Sequence, residues 1–508
     1  GELLGSQENG QEILEMLERA NLFIIPLDED RRWYRYHHLL ADLLRRSLRQ
    51  SEPQLIPDLH GRASLWYEAN DMLLQAIDQA FAARDYERAA VLVEQVAPQM
   101  EETFQSAAWL GWVRALPEEL LRARPALCIQ IAGALIDSGE VDEVEPWLLE
   151  AERLLAAAAE EAVVEDEARL QTMPAAIALH RANVASYRGD NAETVRHAEL
   201  ALELIREEDL MQQAQAVAIR GLAYWSLGDL QTARTAIADW MDSTLKMGIP
   251  IFTIASAFGL ADILIVQGRL QEAIHAYDEA LQLAQDVEQQ SLPITAHHHL
   301  GLAMLYHEMG EQEKYTRHLQ TSSELGRKST LIDWPYRSRL AHARLKESAG
   351  DLDAALALLD DAKRVYITNP VPNARPTGAL KAEIYIKQGR LDAVFEWARA
   401  RELPADGPID YLHEFENMTL ARALIARYER DQKEDDLLGA LALLERLVQT
   451  AEEGDRTGSL IEILLLKALA HQAHGDLATA IDALERALAL AEPAGYLRIF
   501  VNEGPPMA

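Results

Sequence analysis

The chain has 508 residues, 49% of them hydrophobic, and carries 48 Lys and Arg against 82 Asp and Glu, a net charge of −34. Charge of that sign and size repels phosphate backbones over most of a surface, which argues against direct nucleic-acid binding by this chain. The single cysteine, Cys128, excludes an internal disulfide and suits a reducing compartment, and no apolar run approaches the roughly 20 residues that cross a bilayer.

The chain starts Gly1-Glu2-Leu3-Leu4, without Met and without a basic stretch followed by an apolar one. A cytoplasmic fragment with no signal peptide is therefore expected. Residues 8–20 place Ile13, Leu14, Leu17 and Ala20 on one helical face. Two apolar and aromatic runs, residues 22–27 and 33–36, flank Asp28-Glu29-Asp30 and predict a hairpin. A second helix is expected from about residue 38 to 48. Helix, hairpin and helix together read as the C-terminal part of a winged-helix domain over residues 1–50. Residues 51–116 predict a helical arm, with Arg84-Asp85-Tyr86 as a degenerate helix–helix turn and Ala89 three positions on.

From Pro117 the pattern is periodic. Gly139-Glu140-Val141 is the first clear turn. It is followed by Gly189-Asp190, Gly228-Asp229-Leu230, Gly268-Arg269-Leu270, Gly310-Glu311, Gly350-Asp351-Leu352, Gly389-Arg390-Leu391 and Gly475-Asp476-Leu477. The spacing is near 40 residues, and the double gap before Gly475 predicts a hidden repeat with Asp436, Leu437 and Ala440 in register. Glycine ends the first helix of each pair in the left-handed conformation, and the acidic residue after it caps the second. A small residue stands seven before each glycine (Ala182, Gly221, Ala261, Ala303, Ala343, Ala382, Ala468), and an alanine commonly follows the turn (Ala233, Ala273, Ala355, Ala480). Small positions at both places let paired helices approach closely. The expected fold class is all-α: a tetratricopeptide-like superhelix of helix pairs, about eight or nine long repeats over residues 117–492. Residues 496–501 read as extended, in a linker spanning 493–508.

Three segments carry a family resemblance: residues 17–44, with Trp33-Tyr34-Arg35-Tyr36-His37-His38; the long-period array; and residues 494–507. The chain resembles the LuxR-type, MalT-like transcriptional regulators of the STAND class (signal-transduction ATPases with numerous domains). That resemblance implies a nucleotide-binding ATPase before this segment, where ATP or ADP would sit, and a helix-turn-helix DNA-binding domain after it. It also implies oligomerisation on activation. This chain has no phosphate loop; Gly326-Arg327-Lys328-Ser329 lacks the required spacing. No enzyme activity, cofactor or metal is expected in this chain.

First helices of such pairs line the concave face. Counting back from each glycine gives Asn183, Tyr187, Trp225, Phe258, Asp262, His307, Arg337, Arg344 and Glu347 as exposed first-helix positions, and of these Asn183, Tyr187, Trp225, Phe258, Asp262, His307 and Arg344 are the candidate ligand-binding residues: stacking area followed by orienting polar groups. The expected partner is a small-molecule inducer, with sugars implied by the resemblance; the alternative is a regulatory protein or peptide in the groove. Trp33, Arg35, His37 and His38 are candidates for contact with the chain's own ATPase domain, near a basic cluster of Arg31, Arg32, Arg35, Arg45, Arg46 and Arg49. His297-His298-His299 does not read as a metal site, because consecutive helical residues point apart.

Overall fold

The computed structural model describes residues 10–20, 24–26, 34–103, 105–161, 167–287, 292–328, 333–368, 371–403 and 409–504. The chain divides into two compact units, Gly1–Glu165 and Asp166–Ala508.

The first unit opens with α1 (Gly10–Arg19), β1 (Ile24–Pro26), β2 (Tyr34–Tyr36) and α2 (His38–Ser51). The two strands pair antiparallel with Ile25 opposite Arg35, as the alternating runs predict. Tyr34 Oη donates to Glu18 Oε2 at 3.3 Å and ties hairpin to helix. Seven further helices follow: α3 (Leu55–Ala69), α4 (Leu73–Ala83), α5 (Tyr86–Glu102), α6 (Ser106–Val113), α7 (Glu118–Arg122), α8 (Pro125–Asp137) and α9 (Glu145–Glu161). Ile77, Leu92, Trp109, Leu127, Ile131 and Leu148 form their buried core. Arg84 adopts φ +59 and Asp85 accepts from Arg88 N–H, so the glycine-free turn keeps the geometry of the glycine turns.

The second unit is a run of helix pairs: α10 (Glu167–Tyr187) with α11 (Asn191–Leu204), α12 (Leu210–Leu227) with α13 (Leu230–Lys246), and α14 (Pro250–Val266) with α15 (Leu270–Val287). Next come α16 (Ala296–Glu308) with α17 (Gln312–Gly326), α18 (Trp334–Ser348) with α19 (Leu352–Val365), and α20 (Thr377–Lys387) with α21 (Leu391–Ala400). The last pairs are α22 (Glu414–Asp431) with α23 (Glu434–Glu453) and α24 (Thr457–His474) with α25 (Leu477–Ala491). Asp190, Asp229, Asp351 and Asp476 each accept a backbone N–H three residues on and cap the second helix. The small positions are buried: Ala182, Ala261 and Ala303 have no exposed surface, nor have Ala233, Ala273 and Ala355. In the hidden repeat Leu437 and Ala440 are buried as expected, but the turn is corrected: Gln432 at φ +55 takes the glycine position three residues before the expected one, and Asp436 lies inside α23, where it accepts from Arg427 instead of capping the helix.

The array closes on itself. Trp225 Nε1 on α12 donates to the hydroxyl of Tyr411, 186 positions later, at 3.3 Å. Gly458 brings α24 against α14 so tightly that a Cβ there would stand 2.6 Å from the Ile265 carbonyl oxygen. The extended reading of residues 496–501 is corrected. Glu492–Ala494 is a 3₁₀ turn, Gly495 takes φ +86, and α26 (Arg498–Val501) is helical. The run is apolar enough for a strand, but the described residues of the second unit form no strand for it to pair with, and it packs inside the superhelix instead.

Candidate functional site

The closed array surrounds a cavity of about 470 Å³. Its wall comes from the first helices α12 to α24, the connection around Arg375, and the C-terminal segment. Aromatic faces are supplied by Trp225, Tyr336, Tyr366, Tyr411, Phe415 and Tyr496. Eight carboxylates face five cations around the same space.

The charges are organised in clusters. On α18, Arg337 Nη1 donates to Asp262 at 2.7 Å and Nε to Asp333 at 2.9 Å, with the guanidinium 4.7 Å over the Phe258 ring. Asp333 also contacts His297 Nε2 at 2.8 Å. Burial works to raise the Asp333 carboxyl, but the His297 hydrogen bond and the charges of His297 and Arg337 outweigh it and hold the group down at about 2. Arg375 donates to Glu462 at 2.6 Å while lying 4.4 Å over Phe415. Arg422 donates two bonds to Glu503, at 2.6 and 2.7 Å, and sits 3.7 Å from Glu383. Burial pushes Glu383 up to about 7 against the pull of Arg422, with Glu462 and Glu347 adding repulsion. Its neighbour Glu462 moves the other way, because Arg375 and Arg422 overcome its burial.

Three of the sequence candidates line this cavity: Trp225, Asp262 and Arg344. Arg344 is half-exposed and only loosely paired, 3.8 Å from Glu308. Phe258 stands behind the wall, packed under Arg337 and 5.2 Å from the His297 ring. His307 is buried between α16 and α18, contacting Ser348 Oγ at 3.3 Å. Asn183, which donates to the Leu179 carbonyl at 3.3 Å, and half-buried Tyr187 lie on α10, outside the lining. The reason is the closure: the C-terminal pairs return onto α12 and α14, so α10 precedes the enclosed stretch.

In the first unit, Arg35 and His38 are exposed and His37 is half-buried, its ring 4.3 Å from that of His38. Trp33, Arg31 and Arg32 lie outside the described residues. His297, His298 and His299 take separate partners: Asp333, the Ile254 carbonyl and His318.

Counting from the glycines missed Arg375, Arg422, Glu383, Glu462 and Glu503. One signal was present: Glu462 interrupts the apolar run 460–466, where a carboxylate survives only with a partner.

A closed superhelix of helix pairs around an aromatic and charged cavity defines a tetratricopeptide-type repeat protein. The chain belongs to the MalT-like family: residues 175–508 match the model of the MalT-like TPR region, and residues 2–56 match the MalT winged helix domain. It is 25% identical over 511 residues to the HTH-type transcriptional regulator MalT of Serratia proteamaculans (strain 568), covering 99% of this chain and 54% of that protein. The chain thus spans about half the length of the curated relatives it matches along its whole extent. It is 37% identical over 128 residues to the serine/threonine-protein kinase PknK of Mycobacterium tuberculosis (strain ATCC 25618 / H37Rv), covering 25% of this chain and 12% of that protein. Among solved structures, a Rap protein complexed with competence and sporulation factor shares the fold, with a TM-score of 0.51, 14% identity, and coverage of 73% of this chain and 98% of that one. A STAND protein with a tetratricopeptide repeat sensor from Pyrococcus horikoshii aligns with 96% of this chain and 59% of its own, at 14% identity and a TM-score of 0.41.

Proposed function

We propose that this chain is the effector-sensing and autoinhibitory segment of a MalT-like transcriptional regulator, and that its small-molecule inducer occupies the cavity of the second unit. The observation that carries the reading is the half-open cavity of about 470 Å³, within the range of small-ligand sites. A peptide scaffold needs a long open strip, so the closure of α14 onto α24 favours the small molecule. Carboxylates outnumber cations in the wall, and most guanidinium groups are already paired, which favours a neutral, hydroxyl-rich ligand such as a sugar over a phosphorylated one. Aromatic faces would stack on its rings, while Asp262, Glu308 and Arg344 would orient its hydroxyls.

In this reading the ligand biases a nucleotide-binding ATPase domain elsewhere in the regulator, where ATP or ADP binds, and activation proceeds through oligomerisation. Moving such a switch from 1% to 99% active needs about 5.5 kcal/mol of preference for one state. The test is a thermal-shift screen of neutral sugars and of phosphorylated counterparts, followed by calorimetry. A neutral compound that raises the melting temperature, and binds at least tenfold weaker to Asp262→Asn, supports the reading. Binding unaffected by Asp262→Asn and by Tyr336→Ala places the ligand elsewhere and refutes it.

A further inference from the structure

The C-terminal segment runs through the interior of the second unit and touches five helices. Tyr496 packs against the cluster of Ala261, Leu264, Tyr277 and Leu302, and its hydroxyl donates to the Ile265 carbonyl at 3.2 Å. The same hydroxyl approaches Gly458 on α24. The amide of Ile499 donates to Glu308 Oε1 on α16 at 2.8 Å. Glu503 accepts both bonds from Arg422 on α22. The hydrogen-bonded partners among these lie 81 to 231 positions away in sequence. A solvated tether has no reason to bury a tyrosine or to lodge a carboxylate against a guanidinium shielded from water; each costs desolvation that only specific partners offset. Tyr496, Ile499, Asn502 and Glu503 also form part of the cavity wall.

We propose that the superhelix interior contains a second binding site, for a short peptide segment, which residues 495–504 fill in cis, and that this segment closes the ligand cavity. The closure rests on the reading of that cavity as a ligand site; the segment site does not. The recognised chemistry is an aromatic anchor, a free backbone N–H three positions on, and a carboxylate seven positions after the anchor. A ligand in the cavity touches the docked segment, so occupancy and docking reinforce each other. A signal in the cavity therefore reaches the C-terminal end through direct contact rather than through the repeats.

Two measurements on the full chain test this, neither using a ligand. Hydrogen exchange at residues 496–504 is compared between the native chain, Glu503→Gln and Tyr496→Phe; the amides should exchange about tenfold faster in the variants, with α14 and α24 unchanged. Ser459→Cys places a thiol on the cavity wall, and its rate with an aromatic disulfide reagent should rise about tenfold when Glu503→Gln is added. The native Cys128 is buried with its thiol pushed up to about 11, so it contributes little background. Should Glu503→Gln lower the melting of the whole unit, Tyr496→Phe, which keeps the ring, carries both comparisons. Segment exchange as fast as that of an unstructured peptide in the native chain, or equal in native and variants, overturns the segment site. Equal thiol rates overturn the closure. A chain that passes both and binds no small molecule refutes the sensing role while leaving the segment site standing.

Discussion

Arg337 is shared between Asp262 and Asp333, two carboxylates 71 positions apart in sequence, with hydrogen bonds of 2.7 and 2.9 Å. The pairing joins α14 to α18 across α16 and fixes one side of the cavity. Arg337→Ala leaves Asp262 without its cation and Asp333 with His297 as its remaining partner. The expected loss is about 2–3 kcal/mol, less than for a fully buried pair because the arginine side chain is 24% exposed. Asp262→Asn in the same chain should restore part of it, since the stranded charge is removed. Urea unfolding of the four chains of this double-mutant cycle measures both effects.

Acid and alkaline sensitivities should separate by residue. His298 is buried, which pushes its imidazole down to about 3 against the opposing bond to the Ile254 carbonyl. The folded chain keeps it neutral while the unfolded chain takes up a proton below about 6.5. Stability is therefore lost as pH falls from about 6.5 towards 3. Glu383 has the opposite sign. Raised to about 7, it holds a proton in the fold that the unfolded chain has already released, so its contribution declines as pH rises from 4.5 through 7. His298→Gln should flatten the acid limb of melting temperature against pH. Glu383→Gln should flatten the decline up to pH 7 and leave the acid limb in place.

The turn glycines are not equivalent. Gly228 and Gly350 have φ of +88 and +79, so alanine at either costs roughly 1 kcal/mol of left-handed strain. At Gly350 nothing lies within 4 Å of an added Cβ, whereas at Gly228 it would meet Tyr411 Cβ at 2.9 Å. Gly228→Ala should therefore cost about 1–3 kcal/mol more than Gly350→Ala. Equal losses in chemical denaturation would show that the seam at Tyr411 is loosely packed.

The capping aspartates offer a smaller effect. Asp229 accepts from Thr232 N–H at 3.0 Å and from its hydroxyl at 2.7 Å. Asp229→Ala should lower stability by about 1 kcal/mol, and Asp229→Asn by less. Chemical denaturation of the two variants beside the native chain reads the difference.

The repeat was legible because one local requirement, a left-handed turn followed by a capped helix, recurs every 40 residues or so and needs nothing from distant chain. Arg84, which breaks the glycine rule, falls where the buried Ala89 predicts a turn, whereas Gln432 turns the chain three residues before the position that Ala440 predicts. The first-helix count reached Trp225, Asp262 and Arg344, which line the cavity, for the same reason. It could not find Arg375, which lies in a connection outside the period, nor Glu503, whose partner Arg422 is set by how far the superhelix winds. Winding accumulates from small rotations at each pair, and no single residue encodes it. His307 and Phe258 were placed by the same count, but each packs against the helix next to it, so periodicity alone does not separate groove from interface.

The bond between Trp225 and Tyr411 makes the second unit a ring where an open spring would be expected. An open array melts from its ends, and each repeat lost costs only its own contacts with one neighbour. A ring has no free end within the closed stretch. Opening it anywhere forfeits the seam as well, so the pairs from α12 to α24 should unfold together, and trimming the last pair, α24 with α25, should weaken α14 across the seam as much as its own neighbours.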